Sequence, residues 1–255
     1  MSRHVHVFGS VALLERLFAR ALAAFATAAL VAFATAALSA QSLEGGGAAT
    51  KENLDLPFDA MGENEEEEDA PEIVTFYGQQ LEGDGFFYVI DKSGSMRDSG
   101  ELAIAKREVI RNITEFSERV QFGIVFFDAS VVKFPPSGQP AEANPAMKAA
   151  GITFVQGVNG NSGSCCMEGM MQCLNLANMA SSRRVVMVYL GDGGGTCNGA
   201  DEATYLRRAL GAVTSANYKR LQINTIGILN PGALQEDFMK KLAASNGGTY
   251  TRKTS

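Results

Sequence analysis

Histidine is nearly missing. The chain of 255 residues holds two, His4 and His6, and both lie in a stretch that reads as a targeting segment rather than as part of a fold. Residues 1–40 place Arg3, Arg16 and Arg20 ahead of an uncharged, Ala-rich run, 21–40, which closes on Leu38, Ser39 and Ala40. That pattern predicts a signal peptide cut between Ala40 and Gln41. The run also has about the 20 residues needed to cross a bilayer, so an uncleaved N-terminal membrane anchor is the alternative. In either case the arginines stay inside and the remainder is exported, periplasmic or extracellular or held at the membrane by its N-terminus. Beyond residue 40 no histidine remains. A Ser-His-Asp or Cys-His catalytic site and a His-ligated zinc site are thereby excluded there.

Basic runs are missing as well. No Lys/Arg-rich stretch with interleaved aromatics occurs, and a formal net charge of −6 with a pI near 5.1 argues against nucleic acid as the partner. Removing 1–40 takes away three arginines and one acid, Glu15, so the exported part is more acidic still. The glycines at 193–195 lack the lysine and Ser/Thr of a phosphate loop, which rejects that reading. No internal repeat is found.

What remains is enough for one domain of ordinary size, and 46% apolar residues suit a packed core. Residues 41–72 are polar and Gly-rich, with GGG at 45–47 and ENEEEED at 63–69. Such composition buries too little apolar surface to offset chain entropy, so 41–72 is expected to be a disordered acidic linker. The acidic run is read as a solvated spacer, the alternative being a contact for a cation or partner. The domain is then 73–255.

EIVTFYG, 72–78, predicts an edge strand added before the main domain. From Gly85 onward strand-like and helix-like runs alternate, the pattern of a doubly wound α/β sheet, mostly parallel, with helices on both faces. Residues 86–90 are wholly apolar, as a central parallel strand requires. Leu102, Ala105, Val109, Ile113 and Phe116 recur at helical spacing. Strand 121–128, its hairpin partner 130–134, a short helix at 144–150, a helix at 166–179 and a strand at 185–190 follow. Helix 201–215, strand 221–229, helix 234–244 and a last edge strand in NGGTYTRK complete the pattern. Met167, Met170, Met171 and Met179 are expected to fill core rather than to form a cofactor box.

Two of these strands end in aspartates, Asp91 and Asp192, at the edge where open α/β sheets place ligand sites. In YVIDKSGSMRD the spacing D-x-S-x-S is expected to point Asp91, Ser93 and Ser95 to one side of an extended loop, Gly94 allowing a tight path. NGNSGSCCMEGM adds Ser164 at the start of a helix. Carboxylates and hydroxyls are hard ligands, which favour magnesium, calcium or manganese over zinc or copper.

DKSGS, then SGSCCMEGM, then YLGDGG resemble, in that order, the metal-ion-dependent adhesion site of von Willebrand factor type A (VWA) domains. The resemblance runs over about 85–251 and includes the closing NGGTY. It implies the Rossmann-like VWA fold, with Ser93, Ser95 and Ser164 giving hydroxyl oxygens to Mg2+, or to Mn2+ or Ca2+. Asp91 and Asp192 would bind directly or through water, and an acidic side chain of a partner would fill an open coordination position. Two positions depart from the family: Ser164 stands where Thr is usual, losing the methyl that fixes the rotamer, and Gly191 stands where Ser or Thr is usual.

Four cysteines in an exported chain suggest disulfides, with three pairings possible. Cys166 and Cys173, on one helix, would lie about 10 Å apart, beyond the roughly 7 Å limit. A bridge from Cys165 or Cys166 to Cys197 would tie two metal loops together. Small buried thiols, Cys173 above all, are the plain alternative, and a soft-metal cluster a further one. The function expected is a non-enzymatic, cation-dependent binding module for a protein or surface ligand presenting an acidic residue. The alternative is an assembly component of an envelope complex in which the metal site is degenerate or only structural. An aspartyl-phosphate phosphohydrolase would need a second acid two residues after Asp91, where Ser93 stands.

Overall fold

The computed structural model describes residues 70–253, apart from Thr196 and Ala200. The expected export segment 1–40 and residues 41–69 of the linker lie outside the described residues. Strand β1, Glu72–Phe76, turns back through Tyr77 and Gly78 into β2, Gln79–Gly83. These two form a separate antiparallel sheet, so 72–78 is not an added edge of the main sheet. The outer side of β1 is instead capped by side chains of α2, Glu101–Glu115: Arg111 donates to the Thr75 carbonyl at 2.7 Å, and Glu108 accepts from the Tyr77 amide at 3.0 Å.

Among the described residues the main sheet has seven strands. β3, Gly85–Asp91, lies between β4, Gln121–Phe127, and β7, Val185–Gly191, all parallel. β8, Gln222–Gly227, and β9, Tyr250–Arg252, extend it in parallel beyond β7. On the other side β5, Val131–Phe134, and the short β6, Ala141–Glu142, pair antiparallel with β4. β3 and β7 are buried along their whole length, which is why they read as unbroken apolar runs.

Alternation along β3 sorts its side chains into two cores. Phe86, Tyr88 and Ile90 join Leu102, Ala105, Val109 and Ile113 of α2 and the apolar side of the β1–β2 hairpin. Phe87 and Val89 join the layer made by α4, Cys166–Asn178, α5, Glu202–Ala216, and α6, Ala233–Ser245. The first core is aromatic: Phe86 stacks on Phe116 at 5.3 Å, and Phe122 on Phe134 at 5.8 Å. Each fully buried side chain of this size contributes about 1.5–3 kcal/mol.

Two helices end elsewhere than expected. α2 stops at Glu115, its C-cap Phe116 turning out of helical geometry. Helix α3 is Pro145–Gly157 rather than 144–150. Gly151 does not end it, because a side chain there would come within 3.1 Å of the Phe122 ring; its bareness lets the helix lie against that ring. Among the methionines Met170 is buried and Met167 and Met171 pack partly, but Met179 is 55% exposed at the C-cap of α4 and fills no core.

Candidate metal centre

At one edge of the sheet β3 ends on Asp91, and Asp128 and Asp192 directly follow β4 and β7. The chain does not leave β3 as an extended loop. A one-turn helix α1, Gly94–Asp98, starts directly after Ser93, the N-cap. Gly94 is not in the left-handed region, and a side chain there would meet only the Arg97 guanidinium at 4.0 Å, so the turn does not require glycine. The turn is held instead by the Asp91 carboxylate, whose Oδ1 accepts from the Ser93 amide at 2.6 Å.

The five predicted side chains come together. The Ser93 and Ser95 hydroxyls lie 3.1 Å apart, and Ser95 donates to Asp192 Oδ2 at 2.8 Å. Ser164 Oγ is 2.8 Å from the Gly194 carbonyl and 3.4 Å from Asp91 Oδ2. A serine hydroxyl has one proton, so the two acceptors share it, the nearer carbonyl more strongly. Asp192 is fixed by its own loop, Oδ1 accepting from the Gly194 amide at 2.9 Å, and Gly193 between them adopts a φ of 77°. Ser93, Ser95, Ser164 and Asp192 line a cleft open to solvent.

The electrostatics fit a cation. Asp91 is fully buried. Burial first, and then repulsion from Asp192, push its carboxyl up to about 7, against the lowering effect of the Ser93 and Ser164 hydrogen bonds. The donors are oxygen alone, two carboxylates and three hydroxyls, which is the set a hard divalent ion takes.

Two supports hold this centre, and sequence reasoning missed the first. The Lys92 ammonium and the Asp128 carboxylate form a buried ion pair. Burial raises the Asp128 carboxyl, but the Lys92 ammonium and two hydrogen bonds from Ser130 outweigh it and hold it below the usual range. Main-chain bonds add to the pair: Lys92 N donates to Phe127 O at 2.7 Å, and Cys165 N to Asp128 O at 2.8 Å. Asp128 thus holds the first metal loop and the second. The signal in the sequence was FFD at the end of β4, parallel to VID at the end of β3.

The second support is the disulfide expected from Cys165 or Cys166 to Cys197. Cys165, not Cys166, is joined to Cys197, with 4.6 Å between Cα atoms, linking the residue after Ser164 to the 3-10 turn Cys197–Gly199 beyond Asp192. Cys166 and Cys173 are free and buried, and burial pushes both thiols far up. Glu168 lies near the two bridged sulfurs, but a disulfide leaves them no thiolate for a soft metal. The Glu168 carboxylate instead accepts from the Tyr205 hydroxyl at 2.5 Å, whose oxygen accepts from the Met167 amide at 3.0 Å.

No family model matches the chain. Among curated proteins it is 27% identical over 173 residues to the inter-alpha-trypsin inhibitor heavy chain H4 of Homo sapiens, a match that covers 65% of this chain and 18% of that protein. Among solved structures it is similar to a von Willebrand factor type A protein from Catenulispora acidiphila, with a TM-score of 0.58, 20% identity, and coverage of 69% of this chain and 40% of that one. The pilus adhesin SpaC from Lactobacillus rhamnosus GG gives a TM-score of 0.54 at 14% identity, covering 73% of this chain and 29% of that one. The vWF domain of the type V pili tip protein Mfa5 from Porphyromonas gingivalis gives 0.54 at 12% identity, covering 67% of this chain and 89% of that one. The chain therefore spans less than half of the heavy chain, the Catenulispora protein and SpaC, and most of the Mfa5 domain. Its fold is that of a von Willebrand factor type A domain.

Proposed function

We propose that residues 73–255 form an exported, non-enzymatic binding module, carried on an N-terminal signal or anchor at 1–40 and an acidic linker at 41–72. Asp91, Ser93, Ser95, Ser164 and Asp192 would hold a divalent cation, Mg2+ first and Mn2+ or Ca2+ as substitutes. When bound, that ion supplies a Lewis-acidic position for a carboxylate oxygen of a partner protein or surface ligand. The chain's own residues set the orientation: Asp91 is fixed by the Ser93 amide, Asp192 by the Gly194 amide, and Ser164 by the bridge next to it.

The observation that carries this reading is convergence. Three segments far apart in the chain deliver five oxygen-bearing side chains to one hydrogen-bonded cluster in an open cleft. That the structural neighbours include a pilus adhesin and a pilus tip protein agrees with a role in recognition. The test is calorimetric titration of the protein with Mg2+, followed by capture of surface ligands with and without chelator, beside Asp91→Ala. Loss of both metal uptake and capture in the variant supports the reading. Capture that survives chelator and Asp91→Ala alike overturns it and favours an assembly component with a purely structural loop cluster.

A further inference from the structure

The turn of the β1–β2 hairpin carries a tyrosine where its backbone favours asparagine or glycine. Tyr77 and Gly78 connect the paired residues Phe76 and Gln79, and both have a positive φ, 49° and 71°. Two-residue turns of this kind prefer Asn-Gly, and a bulky side chain in the left-handed region is uncommon. The Tyr77 ring packs edge-on against Phe76 at 5.2 Å. It also lines a cleft of about 420 Å3 between the hairpin, α2 and the residues that follow β8 and β9, Ile228 and Lys253.

Two polar groups of this cleft are buried without a partner. Glu101, the first residue of α2, lines it and is only 8% exposed. Among the described residues its carboxylate forms no ion pair and accepts no hydrogen bond, the contact of Glu101 with Ser99 being made by its amide. The Tyr77 hydroxyl is buried as well and has no hydrogen-bond partner among the described residues. Glu108, by contrast, is neutralised by Arg111 at 2.8 Å and accepts from the Tyr77 amide. Burial, then Glu101 and Glu108, push the Tyr77 hydroxyl up, and the Arg107 guanidinium opposes them only in part. Lys253 stands at the turn, its ammonium 3.4 Å from where a Cβ of Gly78 would lie.

A buried carboxylate without a countercharge costs free energy that an incoming cation recovers. The chemistry of the walls says which cation. One carboxylate and one phenol are too few oxygens for a hard metal ion, which takes about six or more. Ile104 and Ile228 supply apolar surface, along which the aliphatic stem of a basic side chain can lie while its head reaches the acid. Arginine fits better than lysine, because its planar fork donates to a carboxylate and a phenol oxygen together, whereas an ammonium is a point charge.

We propose that this cleft is a second recognition site, which takes an arginine side chain of a partner protein between Glu101 and Tyr77. It lies towards the same edge of the sheet as the metal cleft: α1 alone separates Ser95 from the start of α2, and Ile228 N donates to Gly191 O at 3.0 Å. A partner that meets the domain at this edge can present an acid to one cleft and an arginine to the other. The arginine site stands whether or not the metal cleft is loaded.

The test titrates the full chain, in chelator, with Nα-acetyl-arginine amide and with its uncharged counterpart Nα-acetyl-citrulline amide, following backbone amide shifts by NMR. The arginine probe should give saturable shifts at Tyr77, Gly78 and Glu101, and the citrulline probe should bind about tenfold more weakly. Glu101→Gln should weaken the arginine probe by a similar factor. Tyr77→Phe, which removes a hydroxyl without a partner in the fold, should weaken it several-fold and leave the melting temperature unchanged. Neither variant touches the five oxygen-bearing residues of the metal cleft, so a failure there leaves this result intact. Equal binding of the two probes would make the cleft a merely apolar groove and overturn the proposal. Shifts confined to other parts of the protein, or an arginine probe held as tightly by both variants as by the wild type, overturn it as well.

Discussion

Ser95 and Asp192, 97 positions apart, are joined directly, the serine hydroxyl donating to the carboxylate at 2.8 Å. The first and third metal loops are therefore held together by groups that would themselves ligate the ion. A ligand that binds the folded state at a hundred times its dissociation constant stabilises it by about 2.7 kcal/mol. For a domain of this size that corresponds to a rise in melting temperature of about 5–10 °C. Thermal unfolding in Mg2+ against chelator should show a rise of that order in the wild type, a smaller one in Ser95→Ala and none in Asp91→Ala. Equal rises in all three proteins would remove these residues from the site.

The raised Asp91 carboxyl sets a pH dependence with a definite sign. Its pKa in the folded, metal-free protein is pushed up to about 7, above the unfolded value near 3.9. Its contribution to stability is therefore fully present below pH 4 and is lost as pH rises through 7, by at most about 1.4 kcal/mol per unit. Melting in chelator should fall between pH 5 and 8, and Asp91→Asn should flatten that fall. Metal uptake runs the other way, because the ion must displace the proton: affinity should drop about tenfold per unit below pH 7. Calorimetric titrations at pH 6 and pH 8 measure it, and equal affinities would contradict the account.

Lys92 and Asp128 bury opposite charges against each other. Lys92→Met leaves the Asp128 carboxylate buried without a countercharge and should cost about 3–5 kcal/mol in urea unfolding, whereas the double change to Met and Leu should recover much of that loss. The cross term of the double-mutant cycle separates the pair from simple packing. Because Asp128 O also accepts from Cys165 N, Lys92→Met should weaken metal uptake although Lys92 is not among the proposed ligands.

The sheet and the five oxygen-bearing residues were legible because each depends on local pattern. An apolar run that ends in Asp91 and is followed by Ser93 and Ser95 is readable in one window of the sequence, and so is the strand before Asp192. The Lys92–Asp128 pair was not, since its partners are 36 positions apart and meet only because β4 lies beside β3. The choice between Cys165 and Cys166 depends on the residue at which α4 begins: Cys165 is the N-cap and reaches across to the third loop, while Cys166, one step on, points into the core.

The bridge itself closes a loop with a sequence separation of 32, for which chain entropy gives a stabilisation of about 2–4 kcal/mol. Cys197→Ser, or reduction of the wild type, should lower stability in urea by that amount. It should also weaken Mg2+ binding, because Ser164 is next to Cys165. Unchanged metal affinity with lowered stability would confine the bridge to the fold.

Gly191 is one of the two positions that depart from the VWA pattern, Ser or Thr being usual there. In this chain a Cβ at 191 would lie 2.9 Å from the Asp91 Cβ and 3.4 Å from both Asp91 Oδ2 and the Tyr189 hydroxyl. Tyr189 is fully buried, and its hydroxyl has no hydrogen-bond partner among the described residues. The ring thus takes space beside Asp91 that a side chain at 191 would otherwise share. Restoring the usual residue should therefore harm this protein: Gly191→Thr must move Asp91 or Tyr189, and overpacking of this kind costs about 1–3 kcal/mol. The metal-induced rise in melting temperature should shrink in the single variant. It should return in part with Gly191→Thr combined with Tyr189→Leu, which frees the space under the aspartate. A single variant that melts no lower and binds Mg2+ more tightly would show that the glycine is a lost ligand position rather than an accommodation to Tyr189.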